Sequence, residues 1–146
     1  MLKIGLSELP KFVRQALASL EASQDKSRAA LLTLCGDLGA GKTTFVQALA
    51  KELGVGATVQ SPTYVLVKSY ETKHPQFKKL VHIDLYRLEK PEELAALKLE
   101  EVFNNPNNLV CIEWPERAPN SLPKPTFTVN FSSEGTSTDE RYIELV

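Results

Sequence analysis

Lys42 and Thr43 are the residues of this chain best placed to do chemistry, because they close the run Gly36-Asp37-Leu38-Gly39-Ala40-Gly41-Lys42-Thr43. That spacing, Gly-x-x-x-x-Gly-Lys-Thr, meets the Walker A pattern in full. The glycines let the backbone turn successive N–H groups toward phosphate oxygens, and a helix N-terminus behind the loop adds partial positive charge. In such a loop the lysine reaches β- and γ-phosphates, while the threonine hydroxyl binds Mg²⁺. The flanks are those the motif requires. "AALLTLC" before it reads as a strand buried on both faces. Thr43 to Leu53 after it reads as a helix with Phe45, Val46, Leu49 and Leu53 inward and Gly54 at the C-terminal cap.

A Mg²⁺ ion on Thr43 needs an acid from a neighbouring strand end, and two are available: Asp84 in "LVHIDLYRL" and Glu113 in "LVCIEWPE". Both follow apolar runs and so can stand at the carboxyl edge of a sheet, where open α/β sheets bind ligands. Spacing alone does not choose between them, and either one singly reads equally as a turn former or half of a salt bridge. Together, one can complete the metal shell while the other orients a water. Thr63, in "SPTY", lies where a loop sensing the γ-phosphate would sit, or in an ordinary turn. His82 shares the strand face of Asp84 and reads as a hydrogen-bonded core residue. Trp114 either packs near a nucleotide or closes the domain edge. Arg87 and Arg117 pair either with phosphate or, as the favoured reading, with Glu89 and Glu116.

The elements that must carry these residues are legible from pattern. Leu9, Phe12, Val13, Ala16, Leu17 and Leu20 fall on one helical face, with Ser7 as the N-cap and Pro10 in the first turn. "TYVLVKSYE" and "KLVHIDLYRL" are β-rich runs separated by a turn; "PEELAALKLEEVF" reads as one helix begun by Pro91; "LVCIEW" is a further buried strand. Pro115 to Pro125 holds four of the nine prolines and reads as irregular loop. "FTVNF" and "RYIELV" read as an antiparallel hairpin at the sheet edge. The sum is an α/β fold of the P-loop NTPase kind: a mainly parallel central sheet flanked by helices, with an antiparallel C-terminal edge hairpin.

Length and composition bound the function. The 146 residues suit one domain, 1–146, without a separate substrate domain. With 42% apolar and 24% charged residues and no bilayer-length apolar run, a soluble globular protein with no membrane association is expected. Glu8 and Pro10 interrupt the start before an export signal forms, and Cys35 and Cys111 read as reduced core residues, which fits the cytoplasm. A net charge of −1 gives no general pull toward a polyanion, so any nucleic acid is expected to be held by a partner. The pairs Lys78-Lys79, Glu92-Glu93 and Glu100-Glu101 read as solvated faces.

Among phosphate-loop functions, a GTPase would show Asn-Lys-x-Asp, which does not occur, so adenine is favoured. A small-molecule kinase would show clustered lid arginines, whereas the five arginines are scattered. A nucleotide-gated binding module remains as a third class. The leading reading is an ATPase that serves a partner, slow by itself without an arginine finger worth about 10³–10⁵ in rate.

The segments "GDLGAGKTT", "SPTY", "HIDLYRL" and "IEWPE", in this order, resemble the TsaE (YjeE/YdiB) family over nearly the whole chain. The resemblance implies a cytoplasmic Mg²⁺-dependent ATPase, binding ATP and ADP and working with TsaD and TsaB in threonylcarbamoyladenosine modification of tRNA next to the anticodon. The tRNA is met only through that complex. It implies further that Thr43 and Glu113 hold Mg²⁺, that Gly39, Ala40, Gly41, Lys42, Thr43 and Thr44 hold phosphates, and that Asp84 serves the γ-phosphate side or its water. Trp114 lies near the nucleotide by the same analogy, with Lys42, Asp84 and Glu113 as the catalytic set.

Overall fold

The computed structural model describes residues 2–23, 25–59, 66–137 and 139–146. Seven strands form one mixed sheet: β1 (Leu2–Gly5), β2 (Ala30–Cys35), β3 (Val67–Glu71), β4 (Lys79–Asp84), β5 (Asn108–Glu113), β6 (Phe127–Ser132) and β7 (Glu140–Leu145). Their order across the sheet is β1-β7-β6-β2-β5-β4-β3, with β6, β2, β5 and β4 parallel in the middle and antiparallel pairings at both margins. The helices are α1 (Leu9–Ala22), α2 (Lys42–Glu52) and two single turns, α3 (Glu92–Ala95) and α4 (Glu100–Phe103). Among the described residues no helix is long and apolar enough to cross a membrane.

The uninterrupted apolar runs of the central strands follow from burial on both faces. On one face Leu32, Leu34, Leu80, Leu109 and Cys111 join the residues that α1 and α2 send inward. On the other, Leu31, Val81, Ile83, Val110 and Ile112 are covered by Leu85, Leu88, Leu94, Leu99 and Ala118. Each such leucine contributes about 1.5–3 kcal/mol when removed from water. Phe45 of α2 ties the first layer together, edge-on to Phe12 of α1 at 6.2 Å and to Phe131 of β6 at 5.7 Å between ring centres. Gly54 takes φ +77° just past α2, the left-handed cap expected of it.

Several expectations need correction. The chain begins with β1, which pattern did not announce: four residues with only Ile4 buried show no periodicity, and the strand exists because β7 offers its open edge. The β6–β7 pair is antiparallel as expected, yet it is not at the sheet edge, since β1 pairs on β7 outside it. Ser7 falls inside a 3-10 turn, and Glu8, not Ser7, is the N-cap residue of α1, with Pro10 in the first turn. The helix expected over 91–103 breaks at Lys98, whose φ is +51°, so that Leu94 and Leu99 can both reach the sheet. Cys111 is buried as expected, whereas Cys35, at the end of β2, is only half-buried; both are free thiols.

Candidate functional site

The glycine loop runs from the end of β2 to the start of α2. Gly39 and Gly41 hold φ of +80° and +102°, a region costly to any side chain, and Gly41 caps α2 in that conformation. The first-turn amides of a helix have no partner within it, and those of α2 face a cavity of about 470 Å³. Gly39, Gly41, Lys42, Thr43, Thr44, Asp84, Glu113 and Trp114 all line this cavity, so most of the expected site residues meet in one place. Ala40 is fully buried beneath the loop and borders a second, adjoining cavity instead. Thr63 lies outside the described residues.

The two acids are brought together by strand register. Asp84 and Glu113 are direct neighbours at the carboxyl ends of the parallel strands β4 and β5. Their surroundings differ. Asp84 is half-buried and its Oδ1 accepts the Tyr86 N–H at 3.0 Å. Glu113 is buried, accepts the Thr43 hydroxyl at 3.3 Å to either carboxylate oxygen, and has Oε2 2.5 Å from His82 Nε2. His82 is therefore the buried, hydrogen-bonded histidine expected of it, but its partner is a residue of the site.

Lys42 is folded back on its own loop. Its Nζ donates to the Gly36 carbonyl at 2.6 Å and stands 3.5 Å from the centre of the Trp114 ring. Burial lowers its ammonium below the usual lysine range, and the charges of Glu113, Glu116 and Asp84 oppose that shift. Trp114 holds φ 59° and ψ 49°, a left-handed conformation costing about 1–3 kcal/mol for a bulky residue. This geometry lays the indole between Lys42 and Tyr86, whose ring centre is 5.0 Å away. Arg117 packs over the Tyr86 and Trp114 rings rather than against Glu116. Arg87 lines the large cavity.

Pattern reading missed Arg141. It leaves β7, some hundred residues beyond the glycine loop, and its Nη2 donates to the Gly39 carbonyl at 3.3 Å. The only signal for it is an arginine heading an alternating strand, which surface arginines share. The adjoining cavity, about 190 Å³, was equally invisible, because it is walled by β1 and the start of α1 against β6 and β7.

A strand, a glycine loop and a helix N-terminus beside two strand-end carboxylates define a mixed α/β protein with a cavity at the carboxyl edge of its sheet. A family model described as "Threonylcarbamoyl adenosine biosynthesis protein TsaE" matches residues 7–143, and the chain belongs to that family. It is similar to the tRNA threonylcarbamoyladenosine biosynthesis protein TsaE of Haemophilus influenzae, with 39% identity over 119 residues, covering 82% of this chain and 71% of the relative. The Bacillus subtilis protein of the same name is 38% identical over 129 residues, covering 88% and 76%. The crystal structure of Bacillus subtilis YdiB superposes with a TM-score of 0.64 at 31% identity, over 97% of this chain and 82% of that one.

Proposed function

We propose that this chain is a Mg²⁺-dependent ATPase of the P-loop NTPase fold, a single domain over 1–146, acting with TsaD and TsaB in threonylcarbamoyladenosine modification of tRNA. The observation that carries the reading is the convergence of Lys42 and Thr43 from the glycine loop with Asp84 and Glu113 from neighbouring strand ends around one cavity. Family membership supports the tRNA modification pathway. The site residues support the nucleotide chemistry.

The Thr43 hydroxyl and the Glu113 carboxylate are hard oxygen donors within 3.3 Å of each other. They fit Mg²⁺, which takes one or two protein oxygens and completes its shell with water and phosphate. When bound there, the ion would neutralise charge on the β- and γ-phosphates. The chain's own groups do the rest: the amides of Gly39 to Thr44 cradle phosphate, Lys42 pairs with it, and Asp84 holds a water on the γ side. The apolar cavity beside Gly41 and Thr44 accepts the adenine. Turnover depends on the partner complex, which holds the tRNA in the cytoplasm. ATP binding and hydrolysis then reset that complex between rounds.

Multiple-turnover formation of threonylcarbamoyladenosine on tRNA, in a reconstituted TsaB–TsaD mixture, tests the reading. The intact protein should sustain turnover, and Lys42→Ala should match the mixture with nothing added. No stimulation by the intact protein with cognate partners would overturn it.

A further inference from the structure

The two carboxylate oxygens of Glu113 have unequal company. Both stand 3.3 Å from the Thr43 hydroxyl. Among the described residues Oε2 alone has a second partner, 2.5 Å away at Nε2 of His82. His82 is fully buried inside β4, with Lys68 of β3 and Cys111 of β5 as its neighbours in register, so sheet pairing on both sides fixes the backbone that carries the ring. Its Nδ1 meets no partner among the described residues, so no second hydrogen bond pulls the imidazole off Glu113.

A carboxylate serves divalent cations in two ways. Ca²⁺ takes about six to eight oxygens in a flexible shell and accepts both oxygens of one carboxylate. Mg²⁺ demands a near-ideal octahedron, which one oxygen per carboxylate meets best, because the two oxygens of one group lie closer together than neighbouring corners of that shell. A carboxylate held through Oε2 presents Oε1 without cost. Turning both oxygens to an ion weakens a hydrogen bond to a charged acceptor inside the protein, a contact worth about tenfold or more in an equilibrium constant.

We propose that His82 is a positioning residue that sets the cation preference of the site: by engaging Oε2 it leaves Glu113 one free oxygen, Oε1, beside the Thr43 hydroxyl, which suits Mg²⁺ and denies Ca²⁺ a two-oxygen grip. This rests on the Mg²⁺-nucleotide reading above and adds which ion the donors accept and which residue decides it. Thr43 reinforces the choice. Its hydroxyl brings a single oxygen, so Thr43 and Glu113 together supply two donor atoms, and phosphate and water, which Mg²⁺ retains readily, fall to the rest of the shell. His82 acts only through Glu113.

The test is calorimetric binding of ADP at stepped concentrations of Mg²⁺ or of Ca²⁺, read as the ratio of the two half-maximal cation concentrations and corrected for the ratio that ADP shows in solution. The intact protein should need about tenfold or more Ca²⁺ than Mg²⁺, the range set by the hydrogen bond at stake. His82→Phe fills the space without a donor and frees Oε2, so the ratio should fall to within about threefold through a gain with Ca²⁺. His82→Gln carries an amide to the place of Nε2 and should restore most of the preference. His82→Asn, too short to reach Oε2, should behave as His82→Phe does and decides the matter if the phenylalanine variant does not fold. A merely structural role would weaken binding with both ions alike and leave the ratio unmoved. An unchanged ratio in a folded His82→Phe or His82→Asn, or no preference in the intact protein, overturns the assignment. An intact protein that binds ADP equally well without either cation overturns the Mg²⁺ reading itself.

Discussion

His82 Nε2 lies 2.5 Å from Glu113 Oε2, and both side chains are buried between the sheet and α2. No partner for His82 Nδ1 is found among the described residues. The tautomer protonated on Nε2 satisfies this arrangement, donating to the carboxylate and leaving at Nδ1 a bare lone pair, a lesser burden than a buried N–H without an acceptor. His82 thus aims Glu113 at Thr43. His82→Ala should lower stability by about 3 kcal/mol, through the cavity left and the carboxylate deprived of a donor. Chemical denaturation measures it; a loss within the error of the method would mean that Glu113 holds its place alone.

Glu113→Gln keeps the volume and removes the charge that the proposed Mg²⁺ requires. The Mg²⁺ concentration for half-maximal ADP binding should rise by about tenfold or more, as for perturbed metal ligation generally, with a smaller change in binding at saturating Mg²⁺. Titrations of ADP at stepped Mg²⁺ concentrations would check this, and an unaltered Mg²⁺ dependence would remove Glu113 from the metal site.

Trp114, the only tryptophan, carries the Lys42 ammonium over its ring. A phosphate that draws Lys42 away changes the field at the indole. Mg²⁺-ADP should therefore change the emission of the intact protein. Lys42→Ala should start from a different emission and respond little to the nucleotide. Equal responses from the two proteins would show that the lysine does not move.

Gly36 is set by space. A Cβ there would stand 2.9 Å from the Phe131 carbonyl oxygen and 3.0 Å from Phe131 Cβ, so β6 would have to shift. Gly36→Ala should cost about 1–3 kcal/mol of stability, as overpacking does, and should weaken nucleotide binding because the displaced strand supports the loop. A melting temperature equal to that of the parent would contradict this.

The cysteines should separate under alkylation. Cys111 is buried and its thiol is pushed far up by that burial. Cys35 is half-buried, and burial, then the Glu116 charge, raises its thiol as well. The reactive thiolate forms only as pH approaches the raised value. Native protein should thus be labelled by iodoacetamide at Cys35 alone, slowly near neutrality and still accelerating above about pH 9. Cys111 should react only on unfolding. Mass spectrometry after a timed pulse reads both.

The glycine loop, the strand before it and the helix after it were legible because each rests on local chemistry: apolar runs, glycine at positive φ, and a Gly-Lys-Thr turn into a helix. Asp84 and Glu113 were legible as strand ends but not as neighbours. The interrupted helix over 91–103 was misread because leucines at helical spacing fit two single turns equally well when the sheet below decides which of them it buries.

By itself, then, the sequence determined the local grammar of the site: which residue types stand at the end of which strand, and which loop precedes which helix. Tertiary structure alone decided who meets whom. The parallel register of β4 and β5 set the two acids side by side, Glu113 took His82 as its partner, and β1, paired on β7, closed the second cavity and steadied the strand bearing Arg141. The physical reason is that strand pairing and charge burial join residues far apart in the chain. Their energy depends on register and enclosure, which no short stretch of sequence contains.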